Sequence, residues 1–294
     1  MGHDHSSYTQ VYGKAFGIGI GLNIAYVAVE VIYGLIIDSS ALLADAGHNA
    51  SDVLSLVFAW FAMAVAQKKP SIKYTYGLRR STILVSILNA LLLFGAAAVI
   101  GWKAWQKLFE PVQIAGTQVM IVAGIGIVVN TVTALLFIKG QEKDLNIKGA
   151  FLHMAADAGV SVGVVISGLL INLTGKNWID PLTSFFILII IVYGTWKLFI
   201  DSINLALDAV PKDIDYDDVR KFLQGHEHVK AVHDLHIRAM STTENALSVH
   251  LVVNPVSDDL LKRLKRELHE KFGIEHTTVQ LENTDLDDAL NTTQ

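Results

Sequence analysis

Over its first two hundred residues the chain alternates long apolar runs with short polar breaks, and then it changes character. A helix that crosses a membrane needs about 20 mostly apolar residues. Six stretches meet that length: Phe16–Ile37, Ala41–Ala66, Ser81–Trp102, Thr117–Ile138, Ile147–Ile171 and Pro181–Ile200. The first is too long for the core of a signal peptide and no small-residue cleavage pattern follows it, so it is a permanent span. After about residue 205 the charges crowd and the periods shorten. Asp215 can cap a helix over Tyr216–Leu223, Ala231–Ala239 and Ala246–Val253 alternate as strands, and Thr277–Glu282 forms a last strand. Between them Asp258–Phe272 sets Leu260, Leu261, Leu264, Leu268 and Phe272 on one face, opposite Lys262, Arg263, Lys265 and Arg266. Gly273 stops that helix. The pattern predicts a polytopic α-helical membrane protein with six transmembrane helices and a C-terminal α+β domain. Its divisions are an N-terminal tail (1–13), the six-helix domain (14–208), the soluble domain (209–284) and a disordered tail (285–294).

Composition agrees. Hydrophobic residues make up 52% of the chain and charged ones 17%, an apolar excess over the roughly 45–50% usual in soluble domains. Lys68, Lys69, Lys73, Arg79 and Arg80 follow the second span and Lys139, Lys143 and Lys148 the fourth, whereas the opposite side offers only Lys103, Lys107 and Lys176. The positive-inside rule then puts both termini and the soluble domain in the cytoplasm. A net charge of −5 without a dense Lys/Arg face argues against a nucleic-acid partner. With no cysteine in the chain, any transition-metal site must use His, Asp and Glu.

Ionisable groups inside the spans are the informative exceptions. "LLADAGHNASDVLSL" carries His48 and Asp52, four residues apart and therefore on one helix face. "FLHMAADAGVSV" repeats the spacing with His153 and Asp157. At about 1.5 Å per residue, the first pair lies roughly 13 Å from the outer end of its span and the second about 12 Å from the inner end of its own. Both fall near the midplane of a core about 30 Å thick. A lone His–Asp pair could simply bond to a neighbouring helix. Two pairs at one spacing, in helices of opposite direction and matched depth, point to an ion path, because ionisable groups in a membrane are expensive. Four N/O donors from two helices suit a tetrahedral divalent ion. Asn23, Asn89 and Asn130 are polar as well, with interhelical hydrogen bonding as their default role. Glu30, a carboxylate in mid-span, is costly enough to suggest a cavity-facing or protonated role.

The chain resembles the cation diffusion facilitators, on "SSALLADAGHNASDVLSL", "YTYGLRR", "LHMAADAGVSVGVVISG", the "DP" of Asp180–Pro181 and "VHDLHI" at Val232–Ile237. The resemblance covers nearly the whole chain. It implies that His48, Asp52, His153 and Asp157 are transport-site ligands; Asp45, which fits the family pattern but sits a turn outward, is assigned with Glu30 and Asn49 to access or proton handling. It implies a charge interlock between Arg80 and Asp208. It also implies that the soluble part is a ferredoxin-like domain that dimerises the protein and binds zinc. His233, on a face with Leu235 and Ile237, and His250, on a face with Ser248 and Val252, could point to a common edge, with Glu282 where the family has an acidic ligand and His276 able to reach the partner subunit. Arg238 stands where many relatives carry Trp. The loop after the second span has no histidine, so the extra zinc site of some relatives is not expected here, and His3, Asp4 and His5 are too few for more than a weak chelator.

The expected function is proton-coupled antiport that exports Zn2+ from the cytosol across a bacterial inner membrane, since metal loading displaces protons and protonation expels metal. The same donors accept Cd2+, Co2+, Fe2+ and Ni2+. No enzyme motif competes: His269-Glu270 is not followed by the second histidine of HExxH, and no phosphate-binding glycine loop exists for a nucleotide-driven pump. A passive metal channel or a membrane-anchored metal sensor remains open as the alternative.

Overall fold

The structure, a computed structural model, describes residues 5–110, 112–138, 145–254 and 256–283. Its six long helices are α1 (His5–Ile36), α2 (Ser40–Ala66), α3 (Ser81–Phe109), α4 (Gly116–Phe137), α5 (Leu145–Thr174) and α6 (Ile179–Ala206). Each contains a segment long and apolar enough to cross a membrane. Trp60, Phe186, Ile189 and Tyr193 lie on outer surfaces, as helices that are apolar all round require in lipid. The helices overrun the expected spans. α1 already begins at His5, within the expected tail 1–13, because no proline interrupts the chain before Phe16. α3 continues to Phe109 through Lys103, Gln106 and Lys107, which are good helix formers outside the apolar layer. The expected tail 285–294, and His3 and Asp4, lie outside the described residues.

By its contacts the chain forms two bodies, residues 1–57 with 89–197 and residues 58–88 with 198–294. The first packs around Leu42, Val119, Val122, Val164, Ile171 and Ile187. Within it α1 and α4 run antiparallel and very close. Gly19 faces Thr133, and seven residues on along α1 Tyr26 lies against Gly126, where any Cβ would collide with its ring. Lys107 Nζ holds the turn between α1 and α2, donating to Asp38 O at 2.5 Å and Oδ1 at 2.8 Å.

The second body carries the soluble domain: α7 (Tyr216–Gln224), β1 (Val229–Ala239), β2 (Asn245–Val253), α8 (Asp258–Phe272) and β3 (Ile274–Glu282). Asp215 caps α7 by accepting from the Asp218 N–H, and Ser257 caps α8 by accepting from that of Asp259. Gly273 ends α8 at φ 62°, a left-handed conformation that glycine adopts without a side-chain penalty. The sheet order is β1-β2-β3, antiparallel between β1 and β2 and parallel between β2 and β3, with α8 as the crossover. Val219 and Leu223 of α7 and Leu260, Leu264 and Leu268 of α8 cover one sheet face, against Val232, Leu235, Ile237, Leu247, Val249 and Leu251. Burying each such side chain contributes about 1.5–3 kcal/mol.

β1 departs from simple alternation. His233 pairs with His250 but His236 pairs with Ser248, so β1 spends one residue more than β2. Asp234, in this bulge, has φ 50°. The bulge puts Val232 on the core face with Leu235 and Ile237. His233 therefore does not share their face, contrary to the alternation expected from sequence; it turns to the face opposite α7 and α8.

Candidate metal centre

α2 and α5 meet through their ionisable residues. His48 Nε2 lies 3.2 Å from Asp157 Oδ1, and His153 Nε2 lies 3.2 Å from Asp52 Oδ2 and 3.7 Å from Asp157 Oδ2. The pairing is crossed, each imidazole meeting the carboxylate of the other helix. One turn further on, Ser161 Oγ donates to Asp45 Oδ2 at 3.2 Å, which continues the register of two antiparallel helices. His48, Asp52 and Asp157 each offer a ligand atom within 4.8 Å of the others. The His153 ring sits 6.3 Å from that of His48, at 70°. Asp157 Oδ2 is buried and accepts no hydrogen bond among the described residues. Two carboxylates set between two imidazoles are a donor set that could hold a divalent cation. Bonds of about 2.0–2.1 Å to a tetrahedral ion set donors about 3.3 Å apart.

Exposure falls across the group. The side chain of His153 is 43% exposed and that of Asp52 27%, against 20% for His48 and 1% for Asp157. The group thus opens on the side of Asp52 and His153. Beyond its closed side, Glu30 is fully buried and takes hydrogen bonds from Tyr26 Oη at 2.7 Å and Asn49 Nδ2 at 3.1 Å. Asp45 is also fully buried. Neither Glu30, Asp45 nor Asn49 joins the four central residues.

Asp180, which carries no local signal in the sequence beyond the dipeptide Asp180–Pro181, positions α2 with its carboxylate. It accepts from Ser39 Oγ at 2.5 Å and from the N–H groups of Ser40 at 2.7 Å and Ala41 at 3.3 Å, while Ser39 Oγ accepts from the Leu42 N–H at 3.2 Å. These are donors that a helix start leaves unpaired.

The soluble domain holds a second group on the sheet face opposite α7 and α8. Glu282 accepts from His233 Nε2 at 3.2 Å and from His250 Nδ1 at 3.1 Å, and Gln280 Nε2 donates to it at 2.7 Å. The rings of His233 and His250 are 5.2 Å apart, at 81°. His233, His250 and Glu282 can present one donor each to a common ion. His276 does not belong to this group: it lies six residues before Glu282 on β3, about 20 Å away along an extended strand. Its Nε2 lies 2.7 Å from Arg79 Nη1. Asp234, which sequence reasoning passed over, approaches instead, with Oδ2 3.7 Å from His250 Nε2 and Oδ1 2.7 Å from His236 Nε2. The hydrogen bond from His236 holds the Asp234 carboxyl below the usual carboxylate range. In the same body Arg80 Nη2 donates to Asp208 Oδ1, and Arg79 Nη1 to Glu244 Oε2. Arg238 stacks over Tyr76 at 5.8 Å.

Comparison with known proteins bears on both halves. Residues 18–205 match the family model described as cation efflux transmembrane domain, and residues 211–284 match that of the cation efflux protein cytoplasmic domain. The metal cation efflux system protein CzcD of Cupriavidus metallidurans is 36% identical over 284 residues, 95% of this chain and 89% of that protein. The cadmium, cobalt and zinc/H(+)-K(+) antiporter of Bacillus subtilis is 34% identical over 289 residues, 96% of this chain and 92% of that protein. The zinc transporter ZitB of Escherichia coli is 33% identical over 272 residues, 91% of this chain and 85% of that protein. With both halves matched and such relatives aligned nearly end to end, the chain belongs to the cation diffusion facilitators: it is a membrane transporter for the efflux of metal cations, and not an enzyme.

Proposed function

We propose that this protein exports Zn2+ from the cytosol in exchange for protons, through a tetrahedral site made by His48 and Asp52 of α2 and His153 and Asp157 of α5. The observation that carries the proposal is the crossed pairing, which gathers two imidazoles and two carboxylates from α2 and α5, with Asp157 Oδ2 buried and without a hydrogen-bond donor among the described residues. Neutral imidazole and ionised carboxylate bind zinc, so the loaded site has shed protons, and protons returning to it expel the ion. The relative in Bacillus subtilis, an antiporter by name for cadmium, cobalt and zinc, supports exchange and a wider cargo of Cd2+ and Co2+. Fe2+ and Ni2+ suit the same donors.

Orientation follows from loop charge: both termini and the soluble domain face the cytoplasm of a bacterium, across its inner membrane. The open side of the site, at Asp52 and His153, lies toward the C-terminal end of α2 and the N-terminal end of α5, which this orientation makes the cytoplasmic side. Loading from the cytosol suits that arrangement. The soluble domain pairs two copies into a homodimer, as its family model's cytoplasmic domain suggests, and His233, His250 and Glu282 take a regulatory ion. Asp45, Glu30 and Asn49 handle protons beside the site, and Arg80 with Asp208 forms an exposed, weak charge interlock at the cytoplasmic ends of α3 and α6.

The test is Zn2+ flux in liposomes with an imposed pH gradient, for the wild type and for Asp157→Ala. Gradient-dependent flux that falls about a hundredfold or more in the variant supports the proposal, since one ligand of four and its charge are lost. Equal flux in both removes α5 from the transport site.

A further inference from the structure

We propose that the seam between α1 and α4 is a hydrated proton path leading from Glu30 toward the N-terminal end of α1, apart from the metal's own route; this rests on the proton-coupled reading above. Gly19 opposite Thr133 and Tyr26 opposite Gly126 fix the register of the two helices. That register brings Asn23 of α1 and Asn130 of α4 to the same level, one turn from Tyr26. Asn23 is 6% exposed and Asn130 is fully buried. Asn23 Oδ1 and both polar atoms of the Asn130 amide have no hydrogen-bond partner among the described residues.

Two facing asparagines that served packing would bond to each other or to a neighbour. Asn89 does so, donating to Ser55 Oγ at 2.7 Å. Asn23 and Asn130 instead keep buried acceptor and donor groups without a protein partner among the described residues, and buried polar groups of that kind are met by water. On one side of them Tyr26 Oη donates to Glu30, in the space that Gly126 leaves by lacking a side chain. On the other side Thr133 meets Gly19 with its methyl group, and its hydroxyl donates to Val129 O of its own helix at 2.8 Å. Glu30, Tyr26, Asn23 and Gly19 span eleven residues of α1, about 16 Å, or half the apolar layer. The titratable groups that face Glu30 are Tyr26 on its own helix and Asp45 on α2. Along the seam each water accepts one proton and passes on another, so charge is conserved and Glu30 alone changes state before it is reprotonated from the opposite side.

The absence of cysteine makes the first test clean. Asn130→Cys places a single thiol in the seam of the full-length protein in liposomes, and Val128→Cys places one on a lipid-facing surface of the same helix, at a residue 61% exposed. With 2-aminoethyl methanethiosulfonate added to the aqueous phase, the seam thiol reacts at least about tenfold faster, because the reactive thiolate needs water. A rate no faster than that of Val128→Cys overturns the proposal; Asn23→Cys serves if Asn130→Cys does not fold. The second test replaces the amide by a similar apolar volume, Asn130→Leu. Zn2+ affinity in detergent stays unchanged while proton flux coupled to Zn2+, followed with a pH dye inside the liposomes, falls at least about tenfold. Unchanged coupled flux in Asn130→Leu and in Tyr26→Phe overturns the seam. Zn2+ flux without any proton movement in the wild type overturns the exchange reading instead.

Discussion

Asp180, in the first turn of α6, caps the N-terminus of α2 by accepting a hydrogen bond from the Ser40 N–H at 2.7 Å. A cap from a distant helix does more than end a helix well. It fixes the start of the segment that, eight residues or about 12 Å later, presents His48.

Asp180→Ala should leave the Ser40 and Ala41 N–H groups without an acceptor, at a cost of about 0.5–2 kcal/mol as for other lost caps. The expected result is a lower midpoint of thermal unfolding in detergent together with slower Zn2+ flux. Asp180→Asn keeps an acceptor oxygen and should recover part of both, and a flux unaffected by either change would refute the positioning role.

The Arg80 and Asp208 side chains are 49% and 43% exposed. Water screens a pair so open, and a double-mutant cycle with Arg80→Ala and Asp208→Ala should give a coupling of no more than about 1 kcal/mol that shrinks as salt is raised. A larger, salt-insensitive coupling would assign the pair a weight that its exposure does not suggest.

Burial holds the His226 imidazole below its ordinary value, and Arg263 and Lys271 add to this against the pull of Glu267, 3.5 Å away. The folded domain therefore favours the neutral ring, packed on Phe222 at 5.0 Å. As pH falls below about 6.5 the unfolded chain takes up the proton first, so the stability contributed at neutral pH is progressively lost. Amide exchange across α7 and β1 in the full chain, corrected for intrinsic rates, should quicken on going from about pH 7.5 to 5.5. His226→Phe should flatten that dependence.

Glu282 joins both histidines of the soluble group through its two oxygens. Glu282→Gln removes the charge while keeping the shape, and calorimetric Zn2+ binding to this group should weaken at least about tenfold. Measuring it in the Asp157→Ala background, which removes a proposed ligand in the membrane, isolates the signal. Unchanged binding in the double variant would show that the ion is held elsewhere.

The sequence made much of this visible for definite reasons. Apolar runs of membrane length are hard to mistake, and the equal spacing of His48 with Asp52 and His153 with Asp157 marks one face of each of two helices. Their crossed partners become readable only once α2 and α5 are known to run in opposite directions. Capping residues such as Asp215 and Gly273 act within a few residues and were legible. Asp180 acts across about 140 residues, and no local pattern announces that. The bulge at Asp234 was hidden for a related reason: alternation along β1 is a local rule, and the pairing with β2 breaks it. It turned His233 to the other face, and His276 lies about 20 Å along β3 from Glu282 of the same chain.

The three donors on the sheet face opposite α7 and α8 come from three different strands. An ion held by His233, His250 and Glu282 would tie β1 to β3 across β2 and close a loop of 49 residues between His233 and Glu282. Closing such a loop restricts the unfolded chain as a disulfide does. In a protein without cysteine this makes the ion a removable staple, and the rigidity of the soluble domain would then rise and fall with the supply of the metal that the rest of the chain carries out.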